Sequence, residues 1–201
     1  MKGSPMTGSL VVLGTGPGKA DLMTPATRAA LDRATDLVGY GPYLDRIPVS
    51  HPGQCRHASD NRVELDRARQ ALSLAAAGRQ VAVVSGGDPG VFAMAAAVFE
   101  AVEAGDPAWR QLDITVEPGV TAMLAAAAEV GAPLGGDFCA ISLSDNLKSW
   151  ATIERRLTTA GEGDFVIALY NPASKARPYQ LGQAFDLLRA IEEELCVVTD
   201  G

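Results

Sequence analysis

Three short loops made mostly of small residues are the parts of this chain best suited to bind a ligand through backbone atoms. Each follows an apolar run that is typical of a buried strand. In open α/β sheets, ligands bind at the carboxyl ends of the strands, and glycines there leave the backbone accessible. We therefore expect the three loops to converge on one cleft at the strand ends. They are Gly14-Thr15-Gly16-Pro17-Gly18, Gly86-Gly87-Asp88-Pro89-Gly90 and Pro118-Gly119-Val120-Thr121-Ala122.

The first loop does not match either of the common nucleotide-binding motifs. A dinucleotide fingerprint that starts at Gly14 and Gly16 requires a third glycine where this chain has Lys19. Pro17 would also disturb a helix that began directly after the strand. The Gly-Lys-Ser/Thr that completes a P-loop does not follow either. The sequence therefore gives no support to NAD or ATP as the ligand.

The side chains offer no recognised catalytic or metal-binding constellation. The sequence contains no Ser-His-Asp, Cys-His or HExxH arrangement. Its histidines, His51 and His57, lack metal-ligand spacing, and we expect them in loops or at capping positions. Cys55, Cys139 and Cys196 are odd in number and far apart, so we expect ordinary thiols in a reducing cytoplasm. We expect no metal site.

The elements that must position these loops alternate between strands and helices. Apolar runs predict strands at residues 10–13, 36–40, 81–84, 112–116, 138–143 and 165–170. Helical spacing predicts helices at residues 25–31, 62–77, 123–130, 152–159 and 179–194, and one more that follows the second loop. The alternation predicts a parallel sheet with helices on both faces. The pattern restarts after residues 131–137, so we expect two α/β domains, at residues 9–130 and 138–201.

Local signals predict where individual helices begin and end. Thr24 is expected as the N-cap of the first helix, with Pro25 at its first position. Asp88 and Pro89 fit the start of the helix that follows the second loop. Gly78 is expected to end the helix of residues 62–77.

Composition and charge exclude several classes of protein. The chain has 201 residues, of which 47% are apolar and 20% are charged, and this fits a soluble protein with a substantial core. The formal net charge of −7 argues against a nucleic-acid partner, because phosphate binding requires a basic face. The sequence has no apolar stretch long enough to span a membrane, and its first residues lack a signal-peptide core. We expect a cytoplasmic protein.

The three loops, together with Thr24, resemble the signature motifs of the tetrapyrrole (corrin/porphyrin) methylases in order and spacing. The likeness covers most of residues 9–190. These are class III methyltransferases that use S-adenosyl-L-methionine and release S-adenosyl-L-homocysteine. The resemblance implies two α/β domains with the active site in the cleft between them, a tetrapyrrole substrate and a homodimer.

Three further stretches resemble one branch of this family. They are residues 38–45, 90–95 and 169–178. The resemblance implies methylation of precorrin-3B at C17 with contraction of the ring to precorrin-4, a step of cobalamin biosynthesis. Three alternatives stay open: a sister enzyme acting on another precorrin, cobalt-precorrin or uroporphyrinogen, a binding module without catalysis, and a nucleotide-binding protein of another fold.

The resemblance also assigns candidate site residues. It implies cofactor contacts from Gly16, Pro17, Gly86, Gly87, Asp88, Val91, Phe92, Thr121, Ala122, Tyr170 and Asn171. Gly14, Gly18 and Arg177 are the substrate-side candidates, because the first loop reaches the cleft and arginine offers a two-pronged clamp for a carboxylate. Ring contraction requires an acid or base, for which Asp88 and Tyr40 are the candidates.

Two features of the sequence do not fit the resemblance directly. A precorrin carries many carboxylates, so an acidic enzyme must gather arginine and lysine locally at the mouth of its site. Residues 192–201 do not resemble the strands that close the second domain in the family. We expect either a truncated protein or a chain from which disordered segments are absent.

Overall fold

A computed structural model describes residues 8–60, 63–146, 148–172 and 177–191 of the chain. The chain divides into two compact units, Met1–Ala122 and Met123–Gly201. The domain boundary expected from the sequence, at residues 131–137, lies C-terminal to this division and stays a prediction.

The described part of the first unit is built on one parallel sheet. Its strands are β1 (Ser9–Gly14), β2 (Asp36–Tyr40), β3 (Cys55–Ser59), β4 (Gln80–Ser85) and β5 (Asp113–Glu117), in the spatial order β3-β2-β4-β1-β5. The register pairs Gly14 with Ser85, and Leu13 with Glu117. The strands β1, β4 and β5 therefore end side by side, and the three glycine-rich loops leave the sheet at the same edge.

Helices cover both faces of this sheet, as the alternation predicts. The helices of the first unit are α1 (Pro25–Arg33), α2 (Gly41–Leu44), α3 (Glu64–Ala76) and α4 (Met94–Ala104), with short 3-10 turns at Ala20–Leu22 and Pro107–Gln111. One core layer joins α3 and α4 to strand residues such as Val12 and Val83. The other joins α1 and α2 to Leu13 and Val84. Successive residues of each buried strand thus point to opposite layers.

The predicted start of α1 and the predicted end of α3 are confirmed, whereas α3 begins at Glu64 rather than at residue 62. Thr24 caps α1 by accepting a hydrogen bond from the backbone N–H of Thr27 at 3.1 Å, and Pro25 is the first helical residue. Gly78 follows α3 with a φ of 87°, the left-handed conformation that ends many helices.

The predicted start of α4 at Asp88 and Pro89 is wrong. The helix begins at Met94, whose backbone N–H donates to the Ser85 hydroxyl oxygen at 3.3 Å. Phe92 has a φ of 52°, which interrupts any helix that would run through residues 88–93. The second loop is therefore longer than the sequence indicated, and it extends from the end of β4 to residue 93.

Two elements of the first unit were missed. The strand β3 reads Cys-Arg-His-Ala-Ser, so it lacks an apolar run, and it forms an edge of the sheet. The expectation that His57 lies in a loop or cap is wrong, because His57 lies within β3. The helix α2 contains one glycine and one proline in four residues, which reads as a turn.

The second unit has a smaller α/β arrangement. Its elements are α5 (Ala122–Val130, which starts at the boundary), β6 (Phe138–Ser142), α6 (Trp150–Glu162), β7 (Val166–Tyr170) and α7 (Gln180–Arg189). Strands β6 and β7 pair in parallel, and a buried cluster that includes Leu143, Ile153 and Leu157 packs them against α6 and α7. The predicted elements of this region are confirmed up to residue 191. Residues 192–201, and with them the predicted extension to residue 194 and the unusual chain end, lie outside the described residues.

Candidate functional site

The first and second loops of the first unit are hydrogen-bonded to each other through their backbones. Gly16 donates its N–H to the carbonyl oxygen of Gly87 at 3.2 Å, and Gly87 donates back to Gly16 at 2.7 Å. Thr15 adds two hydrogen bonds to the carbonyl oxygen of Ser85, from its N–H at 2.9 Å and its hydroxyl at 3.0 Å. These bonds fix the two loops as one rigid unit at the end of the sheet.

The third loop closes onto the same point. A methyl group placed on Gly14 would overlap the carbonyl oxygen of Gly87 and lie 3.0 Å from the Cα of Gly119. A methyl group on Gly119 would overlap the same carbonyl oxygen and lie 2.8 Å from that of Gly14. Any side chain at either position would push the loops apart. The predicted convergence of the three loops is confirmed.

Asp88 links the second loop to the third. Its carboxylate accepts hydrogen bonds from the backbone N–H of Gly90 at 2.8 Å and from that of Gly119 at 3.0 Å. Since α4 begins further on, this side chain is not the helix cap that its position suggested. The carboxylate holds the two loops at a fixed separation, and its proposed catalytic role stays a prediction.

Thr27, which was not a candidate from the sequence, bonds to the start of the first loop. Its buried hydroxyl donates to the carbonyl oxygen of Gly14 at 3.1 Å, and it also accepts from the Thr24 hydroxyl. The signal that could have found it is a threonine among the apolar positions of α1. A buried hydroxyl requires a partner, and the carbonyl that ends β1 is within reach.

A pair of tyrosines contacts the second loop through the ring of Tyr43. A methyl group on Gly86 would lie 2.9 Å from the ring of Tyr43, so this ring packs directly on the second loop. Tyr40 meets Tyr43 edge to face, with the ring centres 5.4 Å apart. Tyr40 was a candidate from the sequence, whereas Tyr43 was noted only within a family motif.

The space beside Gly87 is bordered by the third loop. The atoms nearest to a methyl group placed on Gly87 would be the backbone nitrogen of Ala122, the Cα of Thr121 and the carbonyl oxygen of Val120, at 3.8–4.0 Å. Thr121 is buried, and Phe92 exposes 51% of its surface. Backbone atoms of the third loop thus lie at ordinary contact distance from the position beside Gly87, so a ligand bound between the two loops would meet mainly backbone groups.

The candidates of the second unit form a separate group around the end of β7. The Tyr170 hydroxyl oxygen accepts a hydrogen bond from the backbone N–H of Met123 at 3.1 Å, in the first turn of α5. Asn171 has a φ of 52° and donates from its side-chain amide to the Ser142 hydroxyl oxygen at 3.0 Å. The Tyr170 side chain therefore bonds to α5, and the Asn171 side chain bonds to the end of β6.

Arg177 is held by neighbours rather than exposed. Its side chain is 12% exposed, Nε lies 3.3 Å from a carboxylate oxygen of Asp145, and Nη1 donates to the amide oxygen of Gln180 at 3.0 Å. The guanidinium predicted to clamp a substrate carboxylate already has an acidic partner. Residues 173–176, part of the family motif that precedes it, lie outside the described residues.

A buried carboxylate with three hydrogen-bond donors lies at the start of β2, outside the loops. Asp36 accepts hydrogen bonds from Arg79 Nε at 2.7 Å, His57 Nε2 at 2.8 Å and the Thr35 hydroxyl at 2.7 Å. Burial raises the pKa of Asp36, but these hydrogen bonds outweigh it and leave the pKa below its ordinary value. Asp36 pairs in register with Cys55 and Val81 near the amino ends of their strands, away from the loops.

Arg67 is a buried cation between β3 and α4. It donates to the Ser59 hydroxyl oxygen at 2.8 Å, to the Asp60 carbonyl oxygen and to the Met94 sulfur at 3.3 Å. Burial lowers the pKa of this guanidinium. These bonds fix the start of α4, and with it the far end of the second loop.

Other site chemistry is limited in the part of the chain that the structure describes. Its residues contain no cluster of three or more histidine, cysteine, aspartate or glutamate side chains that could hold a metal ion. Cys55 and Cys139 are free thiols. Among the described helices, none is both long enough and apolar enough to cross a membrane.

Comparisons with known proteins identify the arrangement. The sequence profile of the Tetrapyrrole (Corrin/Porphyrin) Methylases matches residues 9–200. The chain belongs to the tetrapyrrole methylase family. The resemblance read from the three loops is thereby confirmed.

This tetrapyrrole methylase is similar to several individual members of the family. It is 63% identical over 186 residues to a precorrin-3B C(17)-methyltransferase from Sinorhizobium, a match that covers 92% of this chain and 73% of that protein. The crystal structure of the methyltransferase CobJ superposes with a TM-score of 0.87 and 57% identity, over 92% of this chain and 76% of the other. A uroporphyrin-III C-methyltransferase from Thermus thermophilus, solved with S-adenosyl homocysteine, is 26% identical with a TM-score of 0.51, over 67% of this chain and 59% of the other.

Proposed function

We propose that this chain transfers the methyl group of S-adenosyl-L-methionine to C17 of precorrin-3B, with contraction of the macrocycle to precorrin-4. The observation that carries the proposal is the cluster of three backbone loops, found in a chain that is 63% identical to a precorrin-3B C(17)-methyltransferase. The loops suit a small charged ligand bound through backbone groups, and the relative's name supplies the acceptor and the ring carbon.

The residues around the second and third loops would hold the methyl donor. A sulfonium methyl group is already activated for displacement, so the protein has chiefly to align donor and acceptor and to exclude water. Rigid backbone loops meet this need better than mobile side chains. The cofactor contacts proposed here are the ones that the family motifs imply: Gly16, Pro17, Gly86, Gly87, Asp88, Val91, Phe92, Thr121, Ala122, Tyr170 and Asn171.

The acid or base for ring contraction remains a proposal with two candidates. Asp88 uses both carboxylate oxygens to accept backbone hydrogen bonds, which favours a role in positioning the loops. Tyr40 is half-buried, and its ring contacts that of Tyr43, which packs on the second loop. On the substrate side we propose Gly14, Gly18 and Arg177, although contact with a substrate carboxylate would require Arg177 to share or leave Asp145.

The test is turnover of purified protein with precorrin-3B and methyl-labelled S-adenosyl-L-methionine. We expect a product that is heavier by one methyl substituent, with the label on C17 by NMR and the absorption spectrum of a contracted ring. A variant Gly14→Ala, whose loops cannot close, serves as the matched inactive control.

The same assay separates the alternatives. Methylation of a different ring carbon, or of another precorrin, cobalt-precorrin or uroporphyrinogen only, would assign the chain to a sister activity. Binding of S-adenosyl-L-homocysteine without turnover of any of these compounds would indicate a binding module. Absence of both binding and turnover would contradict the proposal.

We further propose a cytoplasmic homodimer that has no nucleic-acid partner. Exposed apolar side chains of the second unit support a subunit interface: Leu124, Phe138, Phe165 and Val166. The free thiols Cys55 and Cys139 suit a reducing compartment, and the net charge of −7 disfavours binding to phosphates. Light scattering tests the assembly, and a monomeric mass at micromolar concentration would contradict it.

A further inference from the structure

The turn after α2 carries an exposed arginine beside the first loop. A methyl group placed on Gly18 would lie 3.8 Å from Nη1 of Arg46, the one described atom within 4 Å of that position apart from Gly18 and its two chain neighbours. Gly18 and Arg46 are both exposed. The guanidinium therefore stands at the solvent side of the loop that is proposed to face the substrate.

The Arg46 side chain is available to bind a ligand. With the residues that the structure describes, it forms no hydrogen bond and no ion pair. The other arginine considered for the substrate, Arg177, has Asp145 as its partner. Arg46 is thus the better donor for an external carboxylate.

A second arginine fixes the turn from which Arg46 extends. Arg56 of β3 donates Nη1 to the carbonyl oxygen of Leu44 at 2.8 Å and Nη2 to that of Ile47. The Arg46 N–H donates to the carbonyl oxygen of Tyr43 at 3.3 Å, and Ile47 is buried in the core. The backbone on both sides of Arg46 is therefore held in place, so binding through its side chain orders little additional structure.

The carboxylates of the proposed substrate require a cation near the first loop. A precorrin carries several acetate and propionate groups, whereas the chain has a net charge of −7. A guanidinium can donate two parallel hydrogen bonds to one carboxylate, and this short-range contact outweighs a screened long-range repulsion. One fixed arginine would also select the orientation of the macrocycle.

We propose that Arg46 binds a carboxylate of the tetrapyrrole at the solvent side of the first loop. The inference rests on the proposed function for the identity of the substrate, and it adds the residue that anchors and orients it. Arg46 has no part in holding the methyl donor.

The experiment compares wild-type protein with Arg46→Gln, Arg46→Lys and a control, Arg33→Gln. The Arg33 side chain is also exposed and forms no hydrogen bond or ion pair with the described residues, but it lies at the amino end of the sheet beside Ser9 and Gln80. We measure KM and kcat with precorrin-3B, the dissociation constant of uroporphyrin as a stable octacarboxylate probe, and the affinity for S-adenosyl-L-homocysteine.

For Arg46→Gln we expect KM and the uroporphyrin dissociation constant to rise about tenfold, with kcat and S-adenosyl-L-homocysteine affinity within about twofold of wild type. For Arg46→Lys, KM and the uroporphyrin dissociation constant should lie between those of wild type and Arg46→Gln. Arg33→Gln should match wild type in every measurement. Unchanged tetrapyrrole affinity in Arg46→Gln, or no saturable uroporphyrin binding by wild type, would overturn the inference. Weakened uroporphyrin binding in a chain that does not methylate precorrin-3B would uphold it while refuting the proposed function.

Discussion

Asp88 is the side chain that connects the parts of the candidate site most directly. Each of its carboxylate oxygens accepts a backbone hydrogen bond, one from Gly90 within its own loop and one from Gly119 in the next. A carboxylate bonded in this way acts on the ligand through the geometry of the loops. This role differs from that of a catalytic acid or base, and the two roles predict different kinetics.

We predict that Asp88→Asn weakens the binding of S-adenosyl-L-homocysteine about tenfold, because the amide nitrogen cannot accept the second hydrogen bond. Calorimetry measures the change. Asp106→Asn is the matched control, since the Asp106 carboxylate also accepts a backbone hydrogen bond two residues on, from Ala108, but outside the three loops. A large fall in kcat with unchanged affinity would instead support catalysis by Asp88.

Asp36 makes the stability of the chain depend on acid pH. Its folded-state pKa lies below the ordinary value, so the unfolded chain binds more protons as the pH falls. The stabilisation is therefore complete above the ordinary carboxyl pKa of 3.8 and is lost as the pH falls through the lower folded-state value. Acid titration of the free energy of unfolding checks this direction.

We predict that Asp36→Asn lowers the free energy of unfolding at neutral pH by about 1–2 kcal/mol, because hydrogen bonds to a charged acceptor are lost. In the variant, the free energy of unfolding should also depend less on pH in the acid range than it does in wild type. Urea denaturation at several pH values measures both. A stability difference that stays the same from neutral to strongly acid pH would contradict the prediction.

At this scale the sequence predicted residue positions better than residue roles. Thr24 caps α1 as expected, because an N-cap depends only on neighbouring residues. Asp88 resembled a helix cap, yet its partner Gly119 lies 31 positions away in the chain. Arg177 was expected to clamp a substrate carboxylate, and its pairing with Asp145 depends on the fold. Long-range partners leave no local trace in the sequence.

At the scale of secondary-structure elements, the three loops behave as one unit because their backbones contact one another without intervening side chains. Gly14 and Gly119 both lie against the carbonyl oxygen of Gly87. The parallel register of β1, β4 and β5 brings these positions together, so the sheet determines the site as much as the loops do.

We predict that Gly14→Ala lowers the free energy of unfolding by about 2–3 kcal/mol and abolishes measurable S-adenosyl-L-homocysteine binding, because the added methyl group forces the loops apart. Gly41→Ala is the control, since a methyl group there would have no described atom within 4 Å apart from its chain neighbours and the backbone of its own helix. Thermal denaturation and calorimetry measure the two effects. Normal cofactor binding by Gly14→Ala would show that the loops need not touch.

The two elements that the sequence missed each have a physical cause. Strand β3 has polar side chains because His57 and Ser59 bond to Asp36 and Arg67, so apolar periodicity could not reveal it. Helix α2 is a single turn that begins with glycine and proline. The buried strands β1 and β4 were predicted because each is a continuous apolar run within a parallel sheet.

For the whole molecule, the central question is how an acidic chain handles an acidic substrate. The net charge is −7, yet Arg46 stands unpaired within the described residues beside the first loop, and Arg56 secures the turn that carries it. The expectation that cations gather near the site thus has a specific candidate. The net charge alone indicates that a cation is needed near the site, but it does not indicate which residue supplies it.

The measurement that tests the account most directly is hydrogen–deuterium exchange of the wild-type chain with and without S-adenosyl-L-homocysteine. If the three loops form the cofactor site, amide exchange should slow in peptides covering residues 14–18, 86–92 and 118–122, while residues 55–59 of β3 stay unchanged. Saturable binding that leaves all three loops unprotected and slows exchange elsewhere would contradict it.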